Sequence, residues 1–401
     1  MPSINAALLK KGRAEWKDWV WQQRNAVKDV RELKGCFPMV EPAFFERLHE
    51  QSGSKLRFQM TPYMVSQIPG DITEKTIMSN PWAAQSLPLG DIYAHGPDAY
   101  DGTDNWEKSG EFPTSNLQHK YTNRVLVRFR NCLAYCNFCF ESLGVLEKKP
   151  SEEKTFHWSD WQKSLEYIRH NPVIEEVILS GGEPLLLSDQ KLEEVLQDIS
   201  NVKDEKGKPK VRFKRIHTRV LTHNPFRVTT SLAEIIARHR INEMALSVAH
   251  PSEITPEFME AVYRIREVCG KYAPLMVLHT DLLKGFNDNV ETLWELFARA
   301  YENNIKPYYL LHAMPHTPYA DRQRTSVRDG VRLMKALKRH KSNIAIPEYI
   351  IVHHDGKQTV PLELEGTPEF QYTVDSKGNP IIRFLNWKGN WVEYPDAPSQ
   401  V

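Results

Sequence analysis

Cys132-Leu-Ala-Tyr-Cys136-Asn-Phe-Cys139 sets three thiols at spacings of three and two intervening residues, directly after the apolar run Val125-Leu-Val-Arg-Phe129. Three thiolates can hold three irons of a four-iron cluster and leave the fourth iron open. An open iron can take an outside ligand and pass it an electron. Two other readings use the same residues. Zinc could take the three sulfurs, with His119 or a residue elsewhere as fourth ligand. An electron-transfer cluster could be completed by Cys36 or Cys269.

The rest of the chain bounds these readings. Its 401 residues are 41% hydrophobic and 26% charged, an ordinary globular balance that can bury a sizeable core. That length suits one large domain with additions, or two domains. The formal net charge of +1 provides no field for nucleic acid or a membrane surface. No run of 18 apolar residues appears, so no membrane span is expected. The N-terminus has only Ala6-Ala-Leu-Leu9 before Lys10 and Lys11, which does not read as a secretory signal. Five cysteines, three of them clustered, do not form a disulfide framework, so a reducing cytoplasm is expected.

Around the thiols, the pattern along the chain changes character twice. Residues 1–60 read as helical, with Trp16, Trp19 and Trp21 at core-packing positions. Residues 66–118 are rich in Pro, Gly, Ser and Asp and read as a long irregular segment carrying Trp82, Tyr93, Tyr100 and Trp106. From there apolar strand-length runs alternate with helical ones. Strands are expected at 125–129, 176–179, 212–216, 244–248, 275–282, 307–311 and 344–352. Helices are expected at 158–169, 190–199, 232–239, 256–269, 290–303 and 327–340. Such alternation gives parallel β/α units, a partial or full barrel with its chemistry at the C-terminal strand ends. Cys132 follows a strand at that end.

Glu176-Val-Ile-Leu-Ser-Gly181-Gly182-Glu183-Pro184 is the next strand, running into a glycine pair. Paired glycines let backbone approach a ligand, and the Glu183 carboxylate can take an ammonium group. The cysteine loop and this motif, in this order, resemble the radical S-adenosylmethionine (SAM) superfamily. There the amino and carboxylate groups of SAM chelate the open iron, an electron splits the sulfonium, and a 5′-deoxyadenosyl radical is released. The resemblance implies that Cys132, Cys136 and Cys139 hold a [4Fe-4S] cluster and that Gly181, Gly182 and Glu183 take the SAM amino end. It also implies an electron donor such as flavodoxin or ferredoxin.

More of the chain, from about residue 15 to 395, resembles lysine 2,3-aminomutase and its relatives, which pair SAM with pyridoxal phosphate (PLP). The markers include Trp16-Lys-Asp-Trp-Val-Trp-Gln-Gln-Arg-Asn25, Thr61-Pro-Tyr63 and Leu282-Leu-Lys-Gly-Phe-Asn-Asp288. His119-Lys-Tyr-Thr-Asn-Arg-Val125 resembles the segment whose Tyr and Arg hold the PLP phosphate, which implies that role for Tyr121 and Arg124. Arg215-Ile-His-Thr-Arg219 resembles a SAM-contacting strand end, with Thr218 where the family usually has Ser. Ile346-Pro-Glu-Tyr-Ile-Ile-Val-His-His-Asp-Gly-Lys357 resembles the strand and loop ending in the Schiff-base lysine, so Lys357 is the implied catalytic lysine.

The departures from that family fall at its substrate-reading positions, at two SAM-side positions and at its zinc site. The arginine that clamps the substrate carboxylate, two residues after the last cluster cysteine, is Glu141 here. The aspartate gripping the far amine falls near Met314, and a second falls near Val352, with His353, His354 and Asp355 following at once. A SAM-contacting His becomes Ser247, a nearby Gln becomes His279, and the C-terminal zinc cysteines are absent. The expectation is an α/β enzyme with three parts. An N-terminal helical and irregular extension covers 1–117, and a radical SAM partial β/α barrel covers 118–343. A C-terminal strand and cap covers 344–401. The expected reaction is a PLP-assisted amino-group migration, an isomerase reaction, on an amine other than free lysine. Glu141 and Met314 would face that substrate. The alternatives are a PLP-independent radical SAM epimerase, dehydrogenase or lyase, and a non-catalytic iron–sulfur or zinc protein. A homo-oligomer is left open.

Overall fold

The computed structural model describes residues 14–53, 56–88, 110–139, 141 and 156–399. The start of the chain and the stretch with Tyr93, Tyr100 and Trp106 lie outside them. The chain divides into two compact units. The first contains the described residues up to 247 and those of 254–276; the second contains 248–253 and those from 277 on.

The first unit opens on short helices, including Trp19–Arg24, Pro42–Leu48, Pro62–Ser66 and Pro81–Ala84. They enclose an apolar cluster of Trp16, Val27, Leu33, Phe37, Phe45, Met60, Tyr63 and Trp82. Trp16 is core, as its spacing suggested, while Trp19 and Trp21 pack against that cluster partly buried. Then come five strands: β1 (Leu117–Tyr121), β2 (Arg124–Phe129), β3 (Glu176–Gly181), β4 (Phe213–Thr218) and β5 (Glu243–Ser247). β1 is an antiparallel hairpin partner of β2 that the sequence pattern did not reveal. The steps from β2 to β5 are parallel. In β3 the run Val-Ile-Leu-Ser is buried throughout, as expected of a parallel strand covered on both faces.

Helices separate the strands where the 3.6-residue period placed them. Asp189–Asn201 buries Leu192, Val195, Leu196 and Ile199, one stripe at i, i+3, i+4, i+7. Three of these helices start on capping side chains: Ser188, Thr229 and Thr255 each accept a backbone N–H of the first turn.

β6 (Leu275–Leu282), whose residues from 277 on belong to the second unit, β7 (Lys306–His312) and β8 (Glu348–His353) are parallel, and β9 (Gly356–Thr359) returns antiparallel to β8. A separate antiparallel sheet of β10 (Phe370–Val374), β11 (Pro380–Leu385) and β12 (Trp391–Pro395) follows. The late strand is shorter than the expected 344–352, because 343–345 form a 3₁₀ turn. No helix among the described residues is long and apolar enough to cross a membrane.

Register fixes where chemistry can occur. Phe129 pairs with Gly181, Leu179 with Ile216, and Thr218 with Leu246. The C-terminal ends of β2, β3, β4 and β5 are therefore level, and the cysteine loop, Gly181-Gly182-Glu183, Arg219 and Ser247 all emerge at that edge.

Candidate active site

Cys132, Cys136 and Cys139 are all part-exposed in one loop. Burial first, then the charges of Cys139, Glu183 and Cys136, push the Cys132 thiol well above its usual range. Such a thiol resists ionising until positive metal binds. The ring nitrogens of His119 contact Tyr167 Oη at 2.6 Å and Thr122 O at 3.2 Å, so both are already engaged. Cys36 is buried in the N-terminal core, and the Cys269 thiol donates to Ala233 O.

The glycine pair is required by the chain's own backbone. Gly181 has φ +87°, and Gly182 N–H donates to Phe129 O while Glu183 N–H donates to Asn131 O at 2.8 Å. A Cβ on Gly182 would stand 2.5 Å from Asn131 O and 2.6 Å from Phe129 O. Any side chain there would push the turn off the start of the cysteine loop. The close approach expected toward a ligand is, in this structure, made toward that loop.

Glu183 is 5% exposed and occupied. Its carboxylate accepts from Leu185 N–H at 3.1 Å, Thr218 Oγ1 at 2.7 Å and Arg219 N–H at 2.9 Å. Three donors fill most of the roughly four acceptor positions of a carboxylate. Even so, burial pushes its pKa up to about 7, against the downward pull of those donors. Glu183 therefore braces the end of β3 against the end of β4, with room for one further donor.

Arg219 gathers the site. Its Nη1 donates to Cys136 Sγ at 2.8 Å, Nη2 to Gln85 Oε1 at 2.6 Å, and Nε to Ser247 O at 3.2 Å. The guanidinium also lies 5.3 Å from the centre of the Phe138 ring. One side chain thus joins β4, β5, the cysteine loop and the N-terminal segment.

That last connection is what sequence reasoning missed. Gln59 Nε2 donates to Leu133 O at 2.9 Å, and Asn137 N–H donates to Gln85 O at 2.8 Å. Asn137 Nδ2 reaches Ala84 O and Leu87 O, and Arg57 donates to Tyr135 Oη at 3.2 Å. Thr61, noticed only as a marker, donates to His223 O at 2.6 Å. The available signal was an amide at Gln59 between Phe58 and Met60, since a buried amide in an apolar run needs partners.

Tyr121 and Arg124 flank the β1–β2 turn, with the guanidinium 5.0 Å from the Tyr121 ring. They lie at the N-terminal end of β2, and the cysteine loop follows its other end, five residue steps or about 17 Å away. Glu141 sits with Arg128: Nη2 donates to Oε2 at 2.6 Å, and each side chain is 2% exposed.

In the second unit His279 stacks on Tyr308 at 5.9 Å and leans on Tyr309 at 5.2 Å. Lys357 is in β9, opposite Val352, with Nζ 4.2 Å from the Tyr309 ring centre. Met314 and Val352 are buried and apolar. His312 is buried against Tyr349 Oη at 2.8 Å, and burial holds its pKa well below the usual range.

Comparison with known proteins adds the following. The family model described as "Radical SAM superfamily" matches residues 126–326. L-lysine 2,3-aminomutase of Methanococcus maripaludis is 28% identical over 94% of this chain and 81% of its own length. Glutamate 2,3-aminomutase of Clostridioides difficile is 26% identical over 98% of this chain and 86% of its own. L-lysine 2,3-aminomutase of Clostridium subterminale is 28% identical over 87% and 78% respectively.

Proposed function

This chain belongs to the radical SAM superfamily, and we propose that it catalyses a PLP-assisted amino-group migration on an amine other than free lysine. Its fold class is the α/β, partial-barrel class expected of a radical SAM enzyme. Similarity along most of the chain to aminomutases named for two different amino acids supports both the reaction class and latitude in the substrate.

Cys132, Cys136 and Cys139 would hold the [4Fe-4S] cluster that membership of this superfamily implies. When bound, cluster and SAM together supply the electron transfer that starts hydrogen abstraction. Glu183 and Thr218 keep the β3 and β4 ends level, and Arg219 donates to a cluster thiolate. Gly181 and Gly182 let the turn carrying Glu183 lie against the loop. Lys357 would hold PLP through its amine; by the same resemblance Tyr121 and Arg124 would serve a PLP phosphate, and His279 would serve SAM. PLP, when bound, supplies the conjugated system through which nitrogen moves between neighbouring carbons.

The observation that carries the substrate reading is the Arg128–Glu141 pair. A substrate carboxylate offered to Arg128 must compete with a tethered carboxylate already in place. Met314 and Val352 present no carboxylate to a distal ammonium, and burying that ammonium unpaired is costly. An amide, an ester, an amino sugar or a polyamine avoids the first conflict. The test is anaerobic incubation of the reconstituted protein with SAM, reductant and PLP against a panel of such amines. Substrate-dependent 5′-deoxyadenosine or isomerised amine supports the reading, and turnover of free lysine alone refutes it.

A further inference from the structure

The β8–β9 hairpin carries three potential metal ligands in succession. His353 pairs with Gly356, so His354 and Asp355 form a two-residue turn, closed by Gly356 at φ +129°. This compact turn crowds its side chains. The His353 and His354 ring centres are 3.5 Å apart, and His354 Nε2 is 3.6 Å from Asp355 Oδ2. One ligand atom from each of the three residues falls within 4.8 Å of the others.

The surroundings hold these groups in place. Asn386 Nδ2 donates to Asp355 Oδ2 at 2.9 Å, and Trp387 Nε1 donates to Asp355 O at 2.7 Å. Both come from the turn between β11 and β12. Phe384 and Tyr394 wall the His353 ring. A carboxylate fixed by an outer hydrogen bond, beside imidazoles on an apolar wall, is how metal ligands are commonly supported. Lys388 Nζ stands 3.5 Å from Asp355 Oδ1, so a positive charge already collects there, on a side chain 43% exposed that can swing out.

We propose that His353, His354 and Asp355 bind a divalent transition-metal ion, zinc foremost. Two imidazole nitrogens and one carboxylate oxygen are a borderline donor set that suits zinc and leaves a fourth position for water. Bound there, the ion ties the hairpin that bears Lys357 and makes its turn rigid. This site is separate from the cysteine loop and uses none of its residues.

The cluster-loaded protein is dialysed against zinc and analysed for zinc and iron in the same sample, and zinc affinity is measured by competition with a chromophoric chelator. One zinc per chain in addition to the cluster iron is expected. It should persist in a chain with Cys132, Cys136 and Cys139 all changed to Ser. His354→Ala and Asp355→Asn should weaken zinc by more than the 10- to 100-fold typical of losing an outer hydrogen bond, with cluster iron unchanged as the control for folding. Lys388→Met, which removes the competing cation, should tighten it. No zinc beyond the cysteine loop in the wild-type chain would overturn the site. So would full zinc affinity in both His354→Ala and Asp355→Asn.

Discussion

Arg128 and Glu141 are joined at 2.6 Å with both side chains buried, so the carboxylate two residues after Cys139 is neutralised from β2. Removing one partner of a buried pair strands the other charge, at about 3–5 kcal/mol. Glu141→Ala and Arg128→Ala should each lower the free energy of unfolding by that much in a denaturant titration, and the double substitution should cost less than the sum. The same pair predicts that free lysine is turned over far below about 1 per second, and that Glu141→Arg alone does not rescue it, because it sets two guanidinium groups together.

The N-terminal segment should hold the cluster loop in shape. Gln59 donates to Leu133 O from a site 6% exposed. Gln59→Ala leaves buried carbonyls short of a donor, a loss of about 1–3 kcal/mol. Iron should leave the reconstituted variant faster than the wild type in the presence of a chelator, with SAM cleavage falling in step. Equal release rates would mean that the loop holds itself.

Lys357 is expected to carry PLP. Borohydride treatment of PLP-loaded protein, followed by peptide mapping, should find the label on Lys357, whose Nζ lies on the Tyr309 ring. A label on another lysine, or none, would favour the PLP-independent epimerase, dehydrogenase or lyase.

A pH dependence follows from Asp396, whose carboxyl burial pushes up to about 6, though it accepts Val327 N–H at 3.0 Å. A carboxyl raised in the folded state favours folding while protonated. Its contribution is full below the unfolded value near 4 and is lost as pH rises through 6. Two units amount to about 3 kcal/mol. Between pH 4 and pH 7 the wild type should lose that much more stability than Asp396→Asn, measured by urea unfolding at each pH.

The fold was readable where period and punctuation agree. Leu192, Val195, Leu196 and Ile199 announce their helix, and Val125–Phe129 with Glu176–Leu179 announce adjacent strands. The β1–β2 hairpin was not readable, since His119-Lys-Tyr-Thr-Asn-Arg124 lacks both alternation and a glycine turn. At the site, spacing alone brought out the three cysteines, because cluster ligands must lie close in sequence to share one loop. Glu183 was identified, but a sequence cannot show that Thr218, Arg219 and Leu185 already supply three of its donors. Gln59, Gln85 and Asn137 stayed hidden for a related reason. Gln59 and Asn137 reach backbone carbonyls distant in sequence, and Gln85 meets the equally distant Arg219 guanidinium, so none leaves a local pattern.

The central claim is that Cys132, Cys136 and Cys139 hold a cluster that cleaves SAM. The measurement is 5′-deoxyadenosine formed from SAM by the anaerobically reconstituted, chemically reduced protein, for the wild type and single cysteine variants. Cys132→Ala, Cys136→Ala and Cys139→Ala should each form none, while Cys36→Ala and Cys269→Ala, whose thiols are buried elsewhere, should match the wild type. Wild-type cleavage by Cys136→Ala, or none by the wild-type protein with its cluster intact, would contradict the account.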